Sequence, residues 1–100
     1  MAKFIVIYTE PTDKEGFEKH YNDVHIPLVN DLPHKQYVSV NHVVDKQNTT
    51  DNIYLHVEIE YESLDLLKES LASEQGQKVK NDADNLAPFL AAPPTILITE

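Results

Sequence analysis

Phe17-Glu18-Lys19-His20-Tyr21-Asn22-Asp23-Val24-His25-Ile26-Pro27-Leu28-Val29-Asn30-Asp31-Leu32-Pro33 decides how the rest of the chain is arranged. On a helical wheel Phe17, Tyr21, Val24 and Leu28 form one apolar stripe, the pattern of a helix lying against a sheet, with His25 at the rim of the stripe. Pro27 has no N–H for the carbonyl of Asp23, and its ring crowds that carbonyl, so a kink or a change of pitch is predicted there. A titratable side chain thus sits beside a backbone defect, and that pairing is the strongest functional lead in the sequence. Reckoned at roughly 100° per residue, His20 lies about 140° around the helix from His25, too far to share a metal with it.

Upstream, Phe4-Ile5-Val6-Ile7-Tyr8 is apolar at every position and reads as a central strand buried on both faces. Pro11 ends it, and Thr12 with Glu15 three positions on forms a helix start, giving a first helix from about Asp13 to near Asn30. Downstream, Tyr37 to Val44 is strand-like and Asp45 to Asn52 is a polar hairpin connection. Ile53 to Tyr61 alternates, with Tyr54, His56, Glu58 and Glu60 on the face opposite its apolar residues. Ser63 caps a second helix with the stripe Leu64, Leu67, Leu71. Ser73 caps a third with Val79, Ala83 and Leu86, slightly weakened by Gly76. After Pro88, Pro93 and Pro94, Thr95-Ile96-Leu97-Ile98-Thr99 closes the chain as a strand.

The order strand, helix, strand, strand, helices, strand predicts an α+β fold. Residues 1–100 form one domain, a ferredoxin-like split βαβ sheet with its helices on one face. A first strand apolar on both faces then needs a cover for the second face, and a second copy of the chain, packed sheet to sheet, is the economical one. A homodimer is expected.

Eight basic against seventeen acidic residues give a formal charge of −9, which disfavours nucleic acid and anionic membrane surfaces as partners. The absence of cysteine excludes disulfides, zinc–thiolate sites and cysteine nucleophiles, and it suits a cytoplasmic location. Phe4 to Tyr8 is too short for a signal-peptide core or a membrane span. Two glycines, Gly16 and Gly76, cannot supply a P-loop or a dinucleotide-binding fingerprint.

If the hairpin pairs Val38, Val40 and Val44 with Ile59, Val57 and Ile53, then His42 faces the helices opposite Leu55, while Ser39 and Asn41 join Glu58 and His56 on the other face. His25 and His42 would look into one internal space, with Tyr21 one turn before His25. Imidazole, with an ordinary pKa of about 6.5, is the side chain suited to proton exchange near neutrality. The same residues also have purely structural readings: a rim histidine beside a freed carbonyl finishes a helix, and a strand histidine fills space with one satisfied nitrogen. Glu74, Asp82 and Asp84 read as a solvated helix face, and Asp82 is the one to watch. No metal is expected, because the spacing of His20 and His25 is not that of a helical ligand pair.

Phe17-x-x-x-Tyr21-x-x-x-His25-x-Pro27-Leu28 resembles the signature of the EthD family. So do Tyr61-Glu62-Ser63-Leu64, the cap at Ser73-Glu74, and Asp82 with Asn85 before Phe89, so the likeness spans nearly the whole chain. The resemblance implies a dimeric α+β barrel with a cavity between sheet and helices. It also implies kinship with monooxygenases that need no metal or flavin, lactone isomerases and polyketide cyclases, which act on small, often aromatic acids. The motif's histidine falls on His25. Two features depart from the pattern. Pro33 is followed by His34 and Lys35 where many members have Pro-Gly, with Tyr37 a residue early, and there is no tryptophan of the kind usual in haem-degrading relatives.

The expectation is therefore a cofactor-independent enzyme of monooxygenase, isomerase or cyclase type. In it His25 abstracts a proton, His42 or Tyr37 holds the developing oxyanion, and Tyr21 packs on the substrate ring. The alternatives are a non-catalytic small-molecule-binding or helper protein of a catabolic pathway, and a structural dimer without ligand.

Overall fold

The computed structural model describes residues 1–100. The elements are β1 (Ala2–Thr9), α1 (Lys14–His20), a π-turn (Tyr21–His25), α2 (Ile26–Asn30), β2 (Lys35–His42), β3 (Ile53–Tyr61), α3 (Leu64–Ala72), α4 (Glu74–Leu86), a 3-10 turn (Ala87–Phe89) and β4 (Thr95–Thr99). The four strands form one antiparallel sheet in the order β2-β3-β1-β4. That is the expected split βαβ arrangement, with β1, apolar from Phe4 to Tyr8, as one of the two central strands.

The hairpin register follows the burial argument: Val38 opposes Ile59, Val40 opposes Val57 and His42 opposes Leu55. It ends sooner than expected, because β2 stops at His42, Val44 is exposed, and Ile53 pairs with Thr9 instead. The β1–β3 register shifts between Tyr8 and Thr9, where Tyr54 is the extra residue. That bulge turns Tyr54 toward the helices, against the alternation expected of it; its ring meets Phe17 edge-on at 6.2 Å.

Helix starts follow their capping chemistry. Ser63 accepts from the Leu66 N–H and Ser73 from the Gly76 N–H. At α1 the cap is Asp13, which accepts from the Gly16 N–H, whereas Thr12 donates its hydroxyl to the Phe89 carbonyl and ties the helix start to the 3-10 turn. Lys35 closes the other end of this helical segment by donating to the Asn30 and Leu32 carbonyls.

The buried stripe of the first helical segment is Phe17, Tyr21, His25 and Val29, not the stripe through Val24, which is 40% exposed. The π-turn is the cause. Its i→i−5 hydrogen bond, from the Ile26 N–H to the Tyr21 carbonyl, takes up one extra residue and sets the later residues back by one position on the wheel, so that His25 takes the inward place expected of Val24. A pitch change is thus present just before Pro27, and it moves His25 from the rim into the interior. Phe17 and Tyr21 join Tyr8, Leu55, Val57 and Leu86 in one core cluster, each apolar side chain contributing about 1.5–3 kcal/mol by burial. A second cluster holds Ala2, Val29, Leu32, Ile59, Tyr61 and Leu67, and within it the Tyr61 hydroxyl meets the buried Ser70 hydroxyl at 2.8 Å.

Candidate functional site

Asp82 is the residue that organises the site. On α4 it occupies an inward position at 5% exposure, while Ala83, expected in the stripe, is exposed. A buried carboxylate is costly unless hydrogen-bonded, and here the donors are in place. Asn85 Nδ2, one turn on, donates to Oδ1 at 3.0 Å, and His20 Nε2 donates to Oδ1 at 2.9 Å and Oδ2 at 3.1 Å. His25 Nδ1 donates to Oδ2 at 2.8 Å. Burial alone would push the Asp82 carboxyl up, but the hydrogen bonds from Asn85, His20 and His25 outweigh it and hold the group below the usual carboxylate range.

The expected angular separation of His20 and His25 does not survive the π-turn. With more residues to the turn than in an α-helix, both rings come round to one carboxylate, so the constant-pitch wheel fails across Tyr21–His25. Asp82 is correspondingly no part of a solvated face.

His25 is 6% exposed. Its ring stacks on Tyr21 with centroids 5.2 Å apart and planes at 23°; Tyr21 in turn stacks on Phe17 at 5.2 Å and 13°. Tyr8 meets Phe17 and Tyr21 edge-on. Burial pulls the His25 pKa below the ordinary histidine value, more than the Asp82 hydrogen bond and charge raise it, and the His20 charge adds to the lowering. The ring is neutral at pH 7. An ionised carboxylate can only accept, so Nδ1 carries the proton and Nε2 holds the free electron pair. Burial drives the Tyr8 hydroxyl up to about 12 and raises Tyr21 as well, so both phenols stay protonated.

The other two residues expected at the site lie elsewhere. His42 does face the helices, but its Nε2 bonds Glu18 Oε1 at 2.7 Å, and the Tyr54 hydroxyl donates to the same oxygen. These contacts tie the hairpin to α1, and burial, outweighed by the Tyr54 and His42 hydrogen bonds, leaves the Glu18 carboxyl below its usual range. Tyr37 opposes Glu60 on the sheet face away from the helices and is exposed, with the Glu60 carboxylate raising its pKa. Neither reaches His25. His56 is also on the open face, opposite Asn41. What sequence reasoning missed is His20, and the available signal was the proline itself, since a pitch change invalidates a fixed angle.

Several hollows open on the surface. One of about 320 Å³ lies between α4 and the Leu90–Pro94 segment, one of about 310 Å³ is lined by Gly16, Lys19, His20, Asp23, Val24 and Phe89, and one of about 180 Å³ lies at Val43–Lys46. His25 lines none of these three; the rings of Tyr21, Phe17 and Tyr8 fill the layer beside it. No helix is long and apolar enough to cross a membrane.

Comparison with known proteins agrees with this architecture. An uncharacterized 11.0 kDa protein of Rhodococcus erythropolis, from the thcB-thcC intergenic region, is 26% identical over 100 residues, covering all of this chain and 94% of that protein. The crystal structure of an ethyl tert-butyl ether degradation (EthD) family protein from Bacillus halodurans C-125 superposes with a TM-score of 0.87 at 28% identity, over 100% of this chain and 97% of that one. Two more distant structures share the fold. A candidate antibiotic biosynthesis monooxygenase from Nitrosomonas europaea has a TM-score of 0.68 at 17% identity, covering 100% of this chain and 97% of that one. A dimeric ferredoxin-like protein of unknown function from Bacteroides fragilis has 0.64 at 15%, covering 99% and 94%. The EthD domain matches residues 9–89, a span that holds the π-turn, both histidines on Asp82 and Asp82 itself, and the chain belongs to the EthD family.

Proposed function

We propose that this protein is a cofactor-independent enzyme that takes a proton from a small aromatic or polyketide-like acid, with Nε2 of His25 as the general base. The observation that carries the reading is the buried His25 Nδ1–Asp82 Oδ2 hydrogen bond of 2.8 Å. It fixes the tautomer, orients the ring and stabilises the imidazolium that proton transfer creates. Tyr21 stacks on the same ring and, packed in turn by Phe17 and Tyr8, holds the base in place rather than offering a free face to the substrate. Isomerisation, ring closure and reaction with dioxygen all begin from the same deprotonated substrate, so one base serves each of the three chemistries. The fold shared with a candidate monooxygenase is in keeping with the last of them. His42 and Tyr37 take no part.

The active form in this reading is a homodimer closed by the open sheet faces. Ile5, Ile7 and Leu97 lie on that face, and Leu97 is 45% exposed. A dimeric protein of the same fold supports it.

The test is a panel of dihydroxyaromatic acids with oxygen uptake and product recorded. Turnover by the wild type, abolished in a folded and dimeric His25→Gln variant, is the expected result. Turnover that persists in that variant overturns the reading.

A second reading has its own observation. The hollow beside Ala83, Ala87 and Leu90 is apolar and touches no histidine, as a non-catalytic binding or helper protein would have it. That protein would bind the same panel without turnover, and Ala83→Phe would block binding while His25→Gln would not.

A further inference from the structure

Asp82 serves two imidazoles at once. His20 Nε2–H is shared between both carboxylate oxygens at 2.9 and 3.1 Å, and His25 Nδ1–H takes Oδ2 at 2.8 Å. The two rings differ in surroundings. The His25 side chain is 7% exposed and that of His20 23%, and only His20 borders the hollow with Gly16, Lys19 and Phe89. With the inner nitrogens committed to the carboxylate, each ring accepts its next proton on the far nitrogen, Nε2 of His25 and Nδ1 of His20.

We propose that His20 is a positioning residue for His25, holding Asp82 in place and competing for its single negative charge, so that a proton on His20 keeps His25 in the neutral, proton-accepting form. One carboxylate can neutralise one imidazolium. A second imidazolium on the same counter-ion meets the first as a like charge in a site largely shielded from water, so the two rings titrate as a coupled pair. A charge costs less on the ring with more solvent contact, which places it on His20.

The groups around the pair fit this. From α4 come Asp82 and the neutral Asn85, from the π-turn and β1 the protonated phenols of Tyr21 and Tyr8, and from the hollow's rim Lys19 and Asp23. Asp82 is the one carboxylate hydrogen-bonded to either ring. The consequence for catalysis rests on the reading of His25 as the base; the coupling itself does not.

Histidine side-chain NMR titration of the full chain tests it, in the wild type, His20→Gln and His20→Lys. Glutamine keeps a donor to Asp82 without a charge, and lysine makes the charge permanent. The His25 midpoint is expected to rise by about one pH unit with glutamine, tenfold in proton affinity, and to fall below the wild-type value with lysine. Equal His25 midpoints in all three proteins overturn the proposal, as does a shift of the same sign in both variants. If one variant does not fold, the other decides by the sign of its shift. Coupled titration in a protein that turns over nothing sinks the enzyme reading alone, and turnover with independent titrations sinks this one alone.

Discussion

His25 Nδ1 and Asp82 Oδ2 meet at 2.8 Å across the gap between the π-turn and α4, with both side chains buried. The contact joins residues far apart in sequence and locks the first helical segment to the last helix. It also sets how acid acts on the fold, because both groups have pKa values below their ordinary ones.

The sign of that effect is the same for each group. A histidine whose folded pKa lies below the ordinary 6.5 is more readily protonated unfolded, so its contribution is complete above 6.5 and declines as the pH falls. Asp82, depressed below 3.8, contributes stability above that pH and loses it as the pH falls through the folded value. Urea unfolding of wild type and His25→Asn isolates the first effect. The stability difference between them should shift against the wild type from pH 7 to pH 5, and a difference constant over that range refutes the assignment.

The open sheet face carries Ile5 and Ile7 beside Lys3, His56, Glu58 and Leu97. Leu97→Glu would place two carboxylates, one from each protomer and each beside Ile5, in a sheet-to-sheet dimer interface without touching the helix side. Burying unpaired charge costs several kcal/mol, enough to dissociate the dimer at micromolar concentration while the protomer stays folded. Sedimentation velocity on wild type and variant reads this directly. A wild type that sediments as a monomer removes the dimer from the proposed function.

Gly76 is a second point where backbone, not side chain, sets the packing. A Cβ there would sit 2.3 Å from the Leu71 carbonyl oxygen and 2.6 Å from that of Ser70, backbone atoms that cannot swing aside. Helix propensity alone would make Gly76→Ala stabilising by about 1 kcal/mol. The close approach of α3 to α4 reverses the sign, and a loss of about 1–3 kcal/mol in chemical denaturation is expected. A more stable alanine variant would refute it.

Much of this fold was legible from residue patterns. The limits of β3 and β4, the caps at Ser63 and Ser73 and the pairing of His42 with Leu55 all follow from local chemistry or period-2 burial. The site was legible only in part, because its geometry depends on two breaks in periodicity. The π-turn rephased the helix, so His25 replaced Val24 in the interior and His20 came round to the same carboxylate. The bulge at Tyr8/Thr9 turned Tyr54 to the helix side, where Tyr54 and His42 share Glu18. Asp82 was misread for another reason. An acidic residue next to Ala83 looks like surface until the donors that satisfy it are known, and besides Asn85 on the same helix these are His25 and His20, 57 and 62 positions earlier in the chain.

His34 shows what the departure from the usual Pro-Gly pair costs. Its φ is 68°, in the left-handed region where glycine is unstrained and a β-branched residue is a true outlier. The side chain recovers little, since its Nε2 lies 3.6 Å from Glu69 in an exposed pair. His34→Gly removes the steric penalty of roughly 1–2 kcal/mol and gives part of it back through the greater freedom of the unfolded chain, for a net gain of up to about 1 kcal/mol. His34→Val keeps the chain entropy and adds β-branch strain, for a loss of about 1–2 kcal/mol. Asn48 at φ 62° is the internal control, because asparagine tolerates this region and Asn48→Gly should move the denaturation midpoint far less. Equal stability of the glycine and valine variants at position 34 would mean that the loop relaxes out of the left-handed conformation, and that the turn into β2 is set by Lys35 and its carbonyl contacts instead.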